Sequence, residues 1–104
     1  MRAENIERLR GFFGAYFHQD WDLDVPNADG IIERFIADQS DMAQLAELAA
    51  LVDAYAEGHE DDSALEQALV NELWCQYLPS TAGARARDWL RHVAARLRDG
   101  GANK

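Results

Sequence analysis

Apolar positions recur three and four residues apart along nearly the whole chain, the spacing of helices that bury one face. Ile6, Leu9, Phe12, Phe13, Tyr16 and Phe17 form the first such stripe, with Gly11 and Gly14 inside it. Each glycine costs about 1 kcal/mol of helix propensity relative to alanine, so their place here calls for close packing against a neighbouring helix. Pro26 disfavours helix at Val25 and suits the first turn of a helix starting just after it. That second predicted helix is short and carries Ile31, Ile32, Phe35 and Ile36 on one side. Ser40 fits the N-cap of a third, which buries Met42, Leu45, Leu48, Ala49, Val52 and Tyr55 and stops at Gly58.

Ser63 and Glu66 have the spacing of a capping box at the start of a fourth helix. Its inward positions are Leu65, Leu69, Leu73 and Tyr77, with Trp74 beside them. Residues 79–83 make a second break. Trp89, Leu90, Val93 and Leu97 line a fifth helix that Gly100 and Gly101 end. No run alternates with the period of a half-buried strand. The expected fold is all-α: one domain over residues 1–104, five helices, short loops and one core.

Length agrees with that reading, because 104 residues suffice for a core without metal or disulfide. Cys75 is the sole cysteine, which rules out an intramolecular disulfide. The opening residues lack an apolar signal region, and no stretch approaches the roughly 18 apolar residues of a membrane span. The expectation is a cytoplasmic protein that does not enter membranes.

Charge changes the picture more than composition does. The net charge is −9, which argues against direct binding to nucleic acid. It is distributed unevenly: residues 1–10 sum to +1, residues 11–84 to −14 and residues 85–104 to +4. Between Phe35 and Ala84 ten carboxylates occur without one Lys or Arg. Like charges without local partners oppose helix formation and compaction. Two explanations stand side by side. Either a basic partner docks on this field, or the arginine-rich last helix packs nearby and neutralises it.

The candidate docking residues are Asp20, Trp21, Asp22 and Asp24 after the first helix, Asp53 and Glu57 near the end of the third, and Glu60 and Asp61 in the loop beyond. Asp53 and Glu57 sit where negative charge opposes the helix dipole. Glu60, Asp61 and Asp62 also suit the start of the fourth helix, where acids are favourable. Trp21 is a candidate anchor within the acidic rim.

Patterns that would carry catalysis are incomplete. Asp20-x-Asp22-x-Asp24 begins like a calcium loop, but Val25 stands where glycine is needed and Ile31 where glutamate is needed. His18, His59 and His92 have no spacing that completes a zinc site. There is no glycine-rich phosphate loop and no serine with an identifiable base. No catalytic, cofactor-binding or metal-ligating residue is assigned.

The segment Leu9-Arg10-Gly11-Phe12-Phe13-Gly14-Ala15-Tyr16-Phe17-His18-Gln19-Asp20-Trp21-Asp22 resembles the opening of one family of contact-dependent growth inhibition immunity proteins, CdiI. The acidic third helix, the aromatic stretch Trp74, Tyr77 and Leu78, and Asp88-Trp89-Leu90 agree with it. Tyr16 to Trp21 is the specific part. The resemblance implies a small cytoplasmic antidote that pairs with the C-terminal toxin domain of a cognate CdiA effector as a heterodimer. Many such toxins are nucleases, and a phosphate-binding cleft is lined with Lys and Arg. Together, likeness and charge lead us to expect an acidic face that occludes a basic cleft. Two other readings stay open at this point: an acidic scaffold or regulatory domain with no toxin partner, and a small metal-dependent hydrolase using His18.

Overall fold

The computed structural model describes residues 3–17, 28–39, 41–59 and 61–102. Among these residues five α-helices succeed one another: α1 (Ala3–Tyr16), α2 (Ala28–Asp38), α3 (Met42–Glu57), α4 (Asp62–Asn71) and α5 (Ala86–Ala102). A 3-10 turn, Pro79–Ala82, precedes α5. Among the described residues there is no strand, so the all-α expectation holds.

The apolar stripes meet in one continuous core. Leu9, Phe12 and Phe13 of α1, Leu45 and Val52 of α3, Leu65 and Leu69 of α4, and Leu90, Val93 and Leu97 of α5 are almost fully shielded from water. Each leucine so buried contributes about 1.5–3 kcal/mol relative to exposure. An aromatic cluster fills one end of this core. The Phe12 ring meets Phe35 edge-on at 4.6 Å, and the Trp89 ring lies 5.4 Å from Phe17 and 4.8 Å from Tyr77. Met42, expected inside, is 47% exposed.

Helix α5 organises the rest. Its largest contact is with α3, and it packs also on α2 and α4. The cross-links show how. Arg91 reaches Glu57 and Arg98 reaches Asp53, so α3 and α5 run in opposite directions. His92 reaches Asp29 and Arg96 reaches Glu33, so α2 and α5 run in the same direction. Farther along that second seam a Cβ on Gly100 would stand 2.7 Å from two carbon atoms of Ile36. Gly100 therefore does not end the helix as its type suggests. The helix continues to Ala102, and the glycine lets α2 and α5 approach closely.

Three further expectations about element ends are corrected. The N-cap of α3 is Asp41, whose side chain accepts from the Ala43 amide; Ser40 lies outside the described residues. The N-cap of α4 is Asp61, accepting from the Ser63 amide. Serine and aspartate cap about equally well, so the sequence alone does not choose between neighbours. Glu66, expected to close a capping box, instead accepts from the amide and hydroxyl of Ser80 and pins the 3-10 turn to α4. Finally, α4 stops at Asn71, so Leu73, Trp74, Cys75 and Tyr77 lie on an irregular segment and not on a helix.

The start of α5 is capped from a distance. Asp62, in the first turn of α4, accepts from the amides of Ala86 at 2.9 Å and Arg87 at 3.0 Å. Those bonds, the one from Arg87 foremost, hold the Asp62 carboxyl below its usual value against the opposing effect of partial burial. The residue before α5 is Arg85, whose side chain has no acceptor to offer an N-terminus. One aspartate thus serves two helix starts.

Candidate partner-binding surface

Three of the eight candidate docking residues fall within the described structure. Asp53 pairs with Arg98 at 2.7 Å and Glu57 with Arg91 at 2.9 Å. The hydrogen bond from Arg91, then its charge, holds the Glu57 carboxyl below its ordinary value, and Arg91 is raised in return. Asp61 is the N-cap of α4. Asp20, Trp21, Asp22, Asp24 and Glu60 lie outside the described residues. Arg8 of α1 likewise meets Glu47 of α3 at 3.0 Å. Of the two explanations for the acidic field, internal neutralisation is thus realised at these positions. The pairs remain wet, with Arg91 and Glu57 57% and 64% exposed.

The described part of the Tyr-Phe-His-Gln-Asp-Trp motif supports the fold. The Tyr16 hydroxyl donates to Asp38 at 2.8 Å, linking α1 to α2. Desolvation and then that bond raise the tyrosine's pKa. Phe17 is fully buried, and its carbonyl accepts from the Gln76 amide at 2.7 Å.

Where that irregular segment passes α1, the structure builds a feature that helical periodicity hid. Leu73 and Cys75 are both fully buried, and Trp74 between them is 55% exposed. Its backbone is left-handed, with φ at 59°, unlike that of any other described residue that is not glycine. For a bulky side chain that conformation costs about 1–3 kcal/mol and needs the surroundings to hold it. They do. The Leu73 amide bonds to the carbonyl of Ala68 and the Cys75 amide to that of Leu69, closing the C-terminus of α4. Such a reversal ordinarily uses glycine.

Two residues of α1 seat the ring. A Cβ on Gly14 would stand 3.3 Å from the Leu73 carbonyl oxygen and 3.4 Å from the Trp74 Cβ, so only a bare backbone fits comfortably. One turn earlier, Arg10 lays its guanidinium 4.2 Å from the indole centre and donates through Nε to the Glu72 carbonyl. The stack is a cation–π contact. Gly11 has open space beside it and serves no such approach.

A cleft of about 310 Å³ opens between α1 and the end of α3, lined by Ile6, Ala54, Tyr55, Gly58, His59 and Glu72. The Tyr55 hydroxyl donates to Glu72 at 2.7 Å. Burial, and then that bond, push the tyrosine's pKa upward. His59 Nδ1 lies 2.9 Å from the Tyr55 carbonyl, which only accepts, so this nitrogen carries the proton.

None of this arranges a nucleophile beside a base. Burial raises the Cys75 thiol to about 12, even though it bonds the Tyr77 carbonyl. Among the described residues no group of three His, Cys, Asp or Glu is placed to hold a metal ion, and no helix is long and apolar enough to cross a membrane. What the surface offers a partner is shape, an exposed aromatic ring and charge.

A family model described as CdiI immunity protein matches residues 5–97. Comparison with curated proteins and with solved structures gives no match.

Proposed function

This chain belongs to the CdiI immunity protein family, and from that premise we propose that it binds the C-terminal toxin domain of a cognate CdiA effector in the cytoplasm and blocks a nuclease site there. Proteins of this family neutralise toxins of contact-dependent growth inhibition; they are inhibitors and not enzymes. The match over most of the chain is the observation that carries the reading.

The net charge of −9 supports a cationic partner. Internal ion pairs do not consume that surplus, since each pair is neutral. Nor do they lock the carboxylates away. Ion pairs as exposed as Arg91–Glu57 and Arg98–Asp53 are weak because water and salt screen them. A toxin presenting Lys or Arg takes over such a carboxylate at little cost. Asp53, Glu57 and Asp61, with Asp20, Trp21, Asp22, Asp24 and Glu60, are the residues we propose for this electrostatic contact.

Opposite fields accelerate encounter and make it sensitive to salt. Measuring the association rate with the toxin domain between about 50 and 500 mM salt tests this. A steep fall with salt is expected. A flat response would remove the electrostatic part while leaving inhibition itself in place.

A further inference from the structure

We propose that Trp74 is the anchor by which this chain seats itself in its toxin: a rigid indole that enters an apolar recess bordered by cationic side chains. The proposal rests on the reading that the chain binds a toxin domain, and it names the contact within that surface.

Three observations converge on this residue. The ring is more than half exposed, and only Met42 among the other described large apolar side chains is comparably open. Its backbone occupies a conformation at home to glycine, yet the position carries the bulkiest side chain there is. A residue chosen for the fold alone would relieve that strain, and shielding less than half of the ring does little to offset it. Strain persisting at an exposed aromatic points to a role outside the folded monomer.

The third observation is rigidity. Leu73 and Cys75 anchor the chain on either side, Gly14 gives the backbone room, and Arg10 covers one face. The ring therefore has little freedom left to lose on binding, which is what distinguishes a strong interface anchor from an idle surface aromatic. Tryptophan and arginine are also the residue types most enriched at such anchors.

Charge decides the occupant. The guanidinium of Arg10 is held against the ring by its bond to the Glu72 carbonyl. The carboxylate of Glu72, two residues before Trp74, belongs to an exposed residue and has one oxygen beyond its bond to Tyr55. With −9 over the whole chain, the complementary surface is an apolar recess with a basic rim, not a second copy of the same acidic molecule.

The experiment compares wild type, Trp74→Gly, Trp74→Asn and Met42→Ala by calorimetric titration with the cognate CdiA C-terminal toxin domain. Glycine and asparagine both tolerate a left-handed backbone, so the folded state is expected to survive with a thermal midpoint close to wild type. Both Trp74 variants are expected to bind about 30-fold or more weakly, as for loss of an interface anchor. Met42→Ala is expected to bind as wild type does.

Wild-type affinity in either folded Trp74 variant overturns the anchor and leaves toxin neutralisation standing. Absence of binding by the wild-type chain overturns both readings. Sedimentation as a dimer that Trp74→Gly dissolves assigns the ring to a second copy and overturns the proposed occupant.

Discussion

Removing the Asp62 carboxylate tests the long-range cap that starts α5. In Asp62→Ala the amides of Ala86 and Arg87 lose their acceptors together. Loss of a single N-cap acceptor costs about 0.5–2 kcal/mol. The residue is partly exposed, so solvent screens its charge and the capping range applies, not that of a buried ion. Two lost bonds, together with a lost favourable charge in the first turn of α4, give about 1.5 kcal/mol. For a domain of this size that lowers the thermal midpoint by roughly 6–12 °C.

The effect carries its own pH signature. The Asp62 carboxyl is lowered in the folded state, so its stabilisation is complete above the unfolded value near 3.8 and is lost as pH falls through the folded value. Urea unfolding followed by circular dichroism at pH 7, 5 and 3 is the assay. The gap between wild type and Asp62→Ala should be equal at pH 7 and 5 and narrower at pH 3. Asp62→Asn keeps one acceptor and should fall between them. A wild-type urea midpoint for Asp62→Ala at pH 7, or a gap unchanged down to pH 3, would refute the cap as an energetic contact.

The two glycines of α1 should respond in opposite directions. Gly11→Ala meets open space and is expected to stabilise by about 0.5–1 kcal/mol, whereas Gly14→Val drives a branched side chain against the Leu73 carbonyl and should lower the urea midpoint. The Cys75 thiol, fully buried and raised to about 12, should react with an aromatic disulfide reagent at pH 8 only as the protein opens. Its labelling rate should climb with urea in step with unfolding; immediate stoichiometric labelling of the native protein would contradict its burial.

Most of the fold is legible in the sequence because its helices are amphipathic. Leu9, Phe12 and Phe13, or Leu90, Val93 and Leu97, repeat at a spacing that admits one element type, and all are buried as that spacing requires. The same rule misleads at the end of α4. Leu69, Leu73 and Tyr77 are four apart and imitate a continuing stripe, yet the helix ends at Asn71 with no proline or glycine to mark it. The groups that end it come from elsewhere in the chain: Arg10 binds the Glu72 carbonyl, and the Phe17 carbonyl captures the Gln76 amide. Periodicity therefore places Trp74 on the flank of a helix that does not reach it.

The acidic surface is hard to read for a related cause. Pairing within a helix is visible at three or four residues, but Arg91 lies 34 residues from Glu57 and His92 lies 63 from Asp29. The composition of the last twenty residues hints at the neutralisation. Only the antiparallel seam with α3 and the parallel seam with α2 reveal which carboxylates receive it.

The placement of those cations also bears on how the domain is made. A ribosome delivers the carboxylate-rich helices first and their arginine counterweights last. Without α5, Asp53 and Glu57 of α3 and Glu33 of α2 lack the arginines that face them. A chain lacking α5 therefore loses the cross-links to both α2 and α3 at once.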